Sequence, residues 1–379
     1  MNQLFFSVVI PTKNRPELLR VAIQSVLLQN FEDYELVISD NFNDERTGKV
    51  IDEFKHNVHV SCFRTKSELS MPDHWEWATK KARGKYVLVL PDRAFLRQGA
   101  LSDVYDSITR SQEDIQVCFW SYSYFDEDRG ILLDEPKEEG IRMLNPREVA
   151  QNFMRTFNTR YLPRPHVGCY RNDFAKIIRE NHGRLCMNIA PDNTASFFFL
   201  AYCERIMYIP KPLSIFQGAQ YSNAGRATQL NVAPYLDTLK MKEDELFHYV
   251  PIKTLLITNL NFNDFLKIRD KAGGNLRSFH IDWVPYFVMN YQELIDKKIF
   301  NLNKKEWSVL CAGWERALKG FDAGFQKVVH NQIKRRYWKF ILSYIRETFI
   351  GEKLARIKRF FLGKPTFKFK SALAAAGFK

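Results

Sequence analysis

The chain reads as an α/β protein, a mostly parallel sheet flanked by helices and continued by a C-terminal helical extension. Three observations carry that reading. Two apolar, β-branched runs, SVVIPTKNR from Ser7 to Arg15 and YELVISDNFNDE from Tyr34 to Glu45, flank one amphipathic segment, the pattern of strand, helix and parallel strand. A third apolar run, Tyr86 to Leu90, has the length of a buried strand and again ends in polar residues. From Asn231 onward the strand pattern gives way to helical periodicity, broken at Gly273 and Gly274. In an open α/β sheet the ligand lies in the crevice at the carboxyl ends of the strands. Pro11, Thr12, Lys13, Asn14 and Arg15 from the first strand, and Asp40, Asn41 and Asp44 from the second, are therefore expected to converge on one ligand, as in an enzyme.

The segment Pro16 to Gln29 puts Leu18, Leu19, Ala22, Ile23, Val26 and Leu27 on one helical face, with Pro16 suited to the first turn. The loop before it lies at a helix N-terminus, where backbone N–H groups favour an anion; alternatively Asn14 and Arg15 only cap and solvate the helix. Asp40 ends its strand before a polar turn, and Asp44 is placed to cap the helix GKVIDEF. Val58 to Thr65 alternates like a strand, bringing Arg64 to the same crevice either as a fork for base or phosphate oxygens or as a solvated strand end. Met71 to Ala82 reads as a helix with Trp75 and Ala78 inward and with His74 and Trp77 as packing residues. GKYVLVLPDRAFL then delivers Pro91, Asp92, Arg93 and Ala94 to the crevice.

A helix and the aromatic strand IQVCFWSYSYFD follow, then an exposed excursion from Asp126 to Gly140, a helix after Asn145, and YLPRPHVGCYRND as a proline-punctuated loop. Within NIAPDNTASFFFLAY a helix starting near Asp192 carries Ala195, Phe198, Phe199 and Tyr202 into the core. Ile209 to Phe216 is the last strand, and QGAQYSNAGRA a loop able to close over a ligand. The expected organisation is 1–225, a catalytic α/β domain; 226–330, a helical extension; and 331–379, a basic amphipathic tail.

The opening S-V-V-I-P-T-x-N-R, the D-x-x-x-D pattern of Asp40 and Asp44, and the helix, strand and turn from Ser70 to Leu101 together resemble the GT-A glycosyltransferases of family 2. The resemblance covers the first hundred residues well and weakens towards residue 225. It implies an inverting enzyme that moves a sugar from a nucleotide-sugar donor to a glycan or lipid-linked acceptor. It assigns Asp40 and Asp92 to the donor and Asp192 to the catalytic base; Pro11, Thr12, Asn14, Arg15, Asn41, Arg64 and Arg93 join the donor side, and His166 the acceptor side, by their place in the crevice and in the loop before the later strand. The chemistry of Asp40 is apt, because a carboxylate accepts the N3–H of uracil or thymine. Asp192 in a helical first turn is equally a plain capping residue, and His166 a structural histidine.

The family's metal turn carries two or three acids that ligate Mg²⁺ or Mn²⁺. Here it reads Pro91-Asp92-Arg93-Ala94, one acid followed by a base. A hard cation wants several oxygen ligands. Three readings stay open: Asp92 holds a weak metal, Arg93 itself neutralises the diphosphate, or the chain is a catalytically degenerate scaffold that binds nucleotide or glycan.

Composition narrows the rest. Over 379 residues, 45% hydrophobic and 14% aromatic content exclude a disordered chain. The six cysteines show no CxxC pair, which fits reduced thiols in a cytoplasmic protein and excludes a zinc ribbon. No secretory leader and no apolar run of about 20 residues is present. The net charge is +13, of which the segment from His330 onward carries +11, leaving +2 for the rest. A basic tail on a neutral body, with Tyr337, Trp338, Ile341, Ile345 and Phe349 at helical spacing, points to peripheral attachment to an anionic membrane surface at the inner face. Nucleic acid is not expected, since the aromatics form no stacking platform.

Overall fold

The computed structural model describes residues 3–42, 45–126, 130–133, 138–187, 190–217, 246–299, 304–347 and 371–378. The first unit comprises β1 (Phe6–Thr12), α1 (Pro16–Leu27), β2 (Tyr34–Asp40), α2 (Glu45–Phe54), β3 (Val60–Arg64), α3 (Met71–Thr79), β4 (Tyr86–Val89) and β5 (Ala94–Leu96). It continues through α4 (Ala100–Thr109), β6 (Val117–Asp126), β7 (Ile131–Leu133), β8 (Arg142–Leu144), α5 (Pro146–Thr156), β9 (Gly168–Arg171), α6 (Asn172–His182), α7 (Pro191–Tyr202) and β10 (Ile206–Gln217). The later helices are α8 (Ile257–Ala272), α9 (Trp283–Ile299), α10 (Lys304–Lys319), α11 (Ala323–Glu347) and α12 (Ala372–Ala375).

One sheet runs in the order β3, β2, β1, β4, β9, β6, β10, β5, with β7 beside β6 and β8 beside β10. β1, β2 and β4 are buried at every position, which explains their unbroken apolar runs. Alternate residues feed two cores. Val8, Ile10, Leu36, Ile38 and Leu88 pack with α1 and α4 on one face, and Val9, Val37, Val87, Val89 and Phe119 pack with α3, α5, α6 and α7 on the other. The α/β class is as the sequence indicates. Parallel pairing holds from β3 to β4 and between β6 and β10, whereas β9, β5, β7 and β8 are antiparallel to their neighbours.

Two elements differ from expectation. Residues 168–171, read as part of a loop, form β9 between β4 and β6. The run GCYR is too short to register beside two prolines, yet Gly168 lets the strands close: a Cβ there would lie 2.6 Å from the Cys118 carbonyl oxygen. Because Leu88 pairs with Cys169 and Tyr86 with Arg171, β9 begins where β4 ends. Residues 94–96, read as part of the turn, pair antiparallel with β10.

The helical extension shares the second core: Phe197 of α7 meets Phe265 of α8 at 5.3 Å, and Val329 and Ile333 of α11 are buried in the same cluster. Glu293 of α9 accepts the N–H groups of Ile257 and Thr258 at the start of α8, at 2.7 and 2.8 Å. The expected break at 225/226 lies outside the described residues, and α11 runs unbroken through residue 330. α12 docks near β5, where Phe378, Ala372 and Ala375 pack on Phe95, Phe125 and Ile215. Among the described residues no helix is long and apolar enough to cross a membrane.

Candidate functional site

The site lies at the carboxyl ends of β1, β2 and β4. Thr12 closes β1 and donates its hydroxyl to Asp92 Oδ2 at 3.0 Å. Arg15, the residue before α1, donates Nη1 to Asp92 Oδ1 at 3.1 Å. Asn14, between them, takes a left-handed backbone with φ of 55°, a conformation asparagine tolerates better than most residues. Pro11 stays inside β1 opposite Ser39, while Asp40 pairs in register with Thr12. Asn41 continues the wall: its N–H donates to Thr12 O at 3.0 Å, and its side chain exchanges hydrogen bonds with Leu69 at 2.9 Å each. Arg64, at the end of β3, brings Nε to 3.5 Å from Asp40 Oδ2 and is 55% exposed. Asp44 lies outside the described residues. His74 packs below this wall, its Nε2 2.8 Å from Ser39 Oγ, and burial pushes its pKa down to about 4.

The turn after β4 is held from both sides. Ala94 N–H donates to Pro91 O, and Gln217 N–H at the end of β10 donates to Arg93 O. Arg93 folds over the Phe216 ring at 5.0 Å and donates to Gln217 O at 3.3 Å. Burial raises the Asp92 pKa above the ordinary carboxylate value despite the opposing charge of Arg15 and the Thr12 hydroxyl.

Asp192 enters from α7. Pro191 starts the helix, Ala190 is the N-cap, and Asp192 sits in the first turn, so it is not the capping residue. Its side chain is 23% exposed, with Oδ2 3.4 Å from His166 Nδ1. His166, in the turn Pro165–Val167 ahead of β9, is wedged between the rings of Trp75 and Phe216. Burial, reinforced by the charges of Arg164 and Arg93, pushes its pKa well below the ordinary histidine value, so it is neutral at pH 7. Burial raises the Asp192 pKa, against the pull of Arg164 and Arg93.

Arg164, Tyr122, Tyr124 and Phe216 complete this side of the site and were not singled out from the sequence. Arg164 donates to Tyr122 Oη at 3.2 Å and lies over that ring at 5.8 Å. Period-2 spacing in WSYSYF was the available signal for Tyr122 and Tyr124. A continuous line of contacts thus runs from Asp40 through Thr12, Asp92 and Arg93 to Phe216, His166 and Asp192.

Residues 7–178 match the model of Glycosyl transferase family 2. The matched segment, somewhat under half of the chain, is similar to that family's domain. The chain is 25% identical over 246 residues to the GalNAc(5)-diNAcBac-PP-undecaprenol beta-1,3-glucosyltransferase of Campylobacter jejuni, covering 63% of this chain and 74% of that one. It is 22% identical over 126 residues to Glycosyltransferase GlyA of Streptococcus pneumoniae, which is 33% of this chain and 18% of that one. Among solved structures, S. aureus TarS 1-349 in complex with UDP-GlcNAc aligns with a TM-score of 0.51 at 12% identity, over 89% of this chain and 92% of that one. The chain spans 55% of a longer TarS structure, with a TM-score of 0.50. The structural likenesses show the GT-A fold, and the family match and the Campylobacter relative support a transferase.

The divalent cation that the family resemblance implies fits this donor set poorly. Asp92 is the one acid in the turn after β4, both of its oxygens are engaged by Thr12 and Arg15, and the next side chain is cationic. Among the described residues no group of three His, Cys, Asp or Glu side chains is placed to hold a metal ion.

Proposed function

We propose that the family 2 domain takes a nucleotide-sugar donor at the ends of β1, β2 and β4 and transfers the sugar, with inversion, to a hydroxyl of a glycan or lipid-linked acceptor held near α7. The observation that carries this reading is the position of Asp192. It is a partly exposed carboxylate in a helical first turn, beside neutral His166, on the same line of contacts as Asp92 and Arg93. In a single in-line displacement Asp192 removes the acceptor hydroxyl proton while that oxygen bonds to the anomeric carbon. The bond from that carbon to the diphosphate oxygen breaks on the opposite face, and its electron pair leaves with the nucleoside diphosphate. His166, buried against Trp75 and Phe216 with Nδ1 3.4 Å from Asp192 Oδ2, walls the carboxylate on one side. The lipid-linked substrate in the name of the Campylobacter relative and the UDP-GlcNAc in the TarS complex support these substrate classes.

Asp192→Asn is expected to lower transfer by about 10²–10⁴-fold, the usual contribution of a positioned general base, while UDP binding followed by isothermal titration is unchanged. Retained turnover reassigns the base.

The same reading places the enzyme at the inner face of a membrane, bound through its basic C-terminal tail. Lys334, Arg335 and Arg336 are exposed on α11, the helix that buries Val329 and Ile333. Residues from Tyr337, which carry the apolar face read from the sequence, have side chains outside the described set. Flotation with anionic and neutral vesicles tests it: the full chain should bind anionic vesicles, and Lys334→Glu/Arg335→Glu/Arg336→Glu should weaken binding in a salt-sensitive way. Equal partitioning of both proteins removes the membrane role.

A further inference from the structure

Two guanidinium groups beside the Asp92 turn are built into one aromatic cluster. Arg93 lies over Phe216 at 5.0 Å and Arg164 over Tyr122 at 5.8 Å, and those two rings meet edge to face at 5.3 Å. A guanidinium anchored over a ring is restrained in place, and its planar fork of N–H donors suits two phosphate oxygens at once. Arg164 gives one N–H to Tyr122 Oη, and its Nε is buried without an acceptor among the described residues. Arg93 gives one N–H to Gln217 O. Arg93 feels the positive charges of both Arg15 and Arg164. Like charges gathered in a half-buried pocket repel one another unless an anion lies between them. Asp92 and Asp192 feel these charges, but neither forms an ion pair with Arg93 or Arg164 among the described residues: Asp92 is taken by Arg15 and Thr12, and Asp192 stands 3.4 Å from His166.

Resting on the donor site proposed above, we infer that Arg93 and Arg164 together replace a divalent cation in this enzyme, holding the donor's diphosphate and neutralising the charge that gathers on it as the sugar departs. Arg93 comes from the turn after β4, and Arg164 from the segment that leads into β9. Neither has a proton to lose at working pH. A metal placed between them would meet two fixed cations and one occupied carboxylate. The leaving group instead receives charge-assisted hydrogen bonds that strengthen as the bond to the anomeric carbon breaks, which is the condition for lowering the barrier.

The test is isothermal titration of the full chain with UDP, in EDTA and again in excess Mn²⁺, for the wild type and for Arg93→Gln, Arg164→Gln, Arg93→Lys and Arg164→Lys. The wild type is expected to bind UDP equally well in both conditions. Each Gln variant should bind about tenfold or more weaker, the scale of one hydrogen bond to a charged group, with the Lys variants in between. Circular dichroism melting establishes that each variant is folded, and if a Gln variant is not, the wild type and the Lys variants decide. A tenfold or greater gain from Mn²⁺ overturns the inference, as do folded Gln variants that bind UDP like the wild type. A wild type that binds none of UDP, dTDP or GDP in either condition overturns the donor site itself, and this inference with it.

Discussion

Glu76 is a heavily committed buried charge outside the site, and its removal has a calculable effect. Its carboxylate accepts Arg179 Nε at 2.8 Å on one oxygen and the N–H groups of Leu185 and Cys186, each at 3.0 Å, on the other. The two charged side chains are only 8% and 11% exposed, so neither is solvated if the other is lost. Lys80 also approaches, at 3.3 Å, but is half exposed and adds little. In Glu76→Gln the new amide satisfies either Arg179 or the two backbone N–H groups, never both, because its NH₂ end faces donors. Breaking a buried pair from one side costs about 3–5 kcal/mol, and that is the loss expected in urea unfolding, with the slope unchanged. Glu76→Met/Arg179→Met leaves no orphaned charge and should be more stable than Glu76→Gln. The pH dependence has a definite sign. Burial pushes the Glu76 pKa up, but the Arg179 charge and the two backbone hydrogen bonds outweigh it, so the folded value lies below the ordinary one. A depressed carboxyl pKa contributes stability that is present above the unfolded value of about 4.3 and is lost as pH falls through the folded value. The gap between wild type and Glu76→Gln should therefore narrow in acid. A loss below about 1 kcal/mol, the worth of a surface pair, or a gap that widens in acid, refutes this account.

Two further outcomes follow from the site and its support. The rate of transfer should fall towards acid with an apparent pKa above the 3.9 or so of free aspartate, because burial raises Asp192 and protonation disables a base. His166→Gln should keep that limb, since His166 is already neutral; its disappearance in that variant would make the histidine the base. Gly84→Ala should lower the melting temperature, because a Cβ there would meet the Phe6 carbonyl carbon and the Ser7 nitrogen at 2.6 Å, an overpacking cost of about 1–3 kcal/mol. An unchanged melting curve would show that β1 has room to shift.

The first hundred residues were the legible part of the chain. Fully buried parallel strands must be apolar throughout, and their polar ends mark the crevice, so β1, β2 and β4 and the convergence of Thr12, Arg15 and Asp92 could be read directly. Helix α7 was legible for a similar reason, its core phenylalanines following a proline start. β5 and β9 were not: at three and four residues they carry too few positions for a period to show. Arg164 was missed because its importance depends on Tyr122, 42 positions earlier, and no local pattern links them. Glu76 was likewise unreadable, its partners lying more than 100 positions away.

The reversed direction of β9 gives the crevice a second kind of entrance. Parallel strands deliver groups only as they finish, but a strand running the other way delivers whatever precedes it, here Arg164 and His166. Residues 157–167 lie outside the pairings of β1 with β2 and β4, so their length and chemistry can vary without shifting the register that sets Thr12 beside Asp40, whereas a change at Arg164 itself would reach the proposed diphosphate grip.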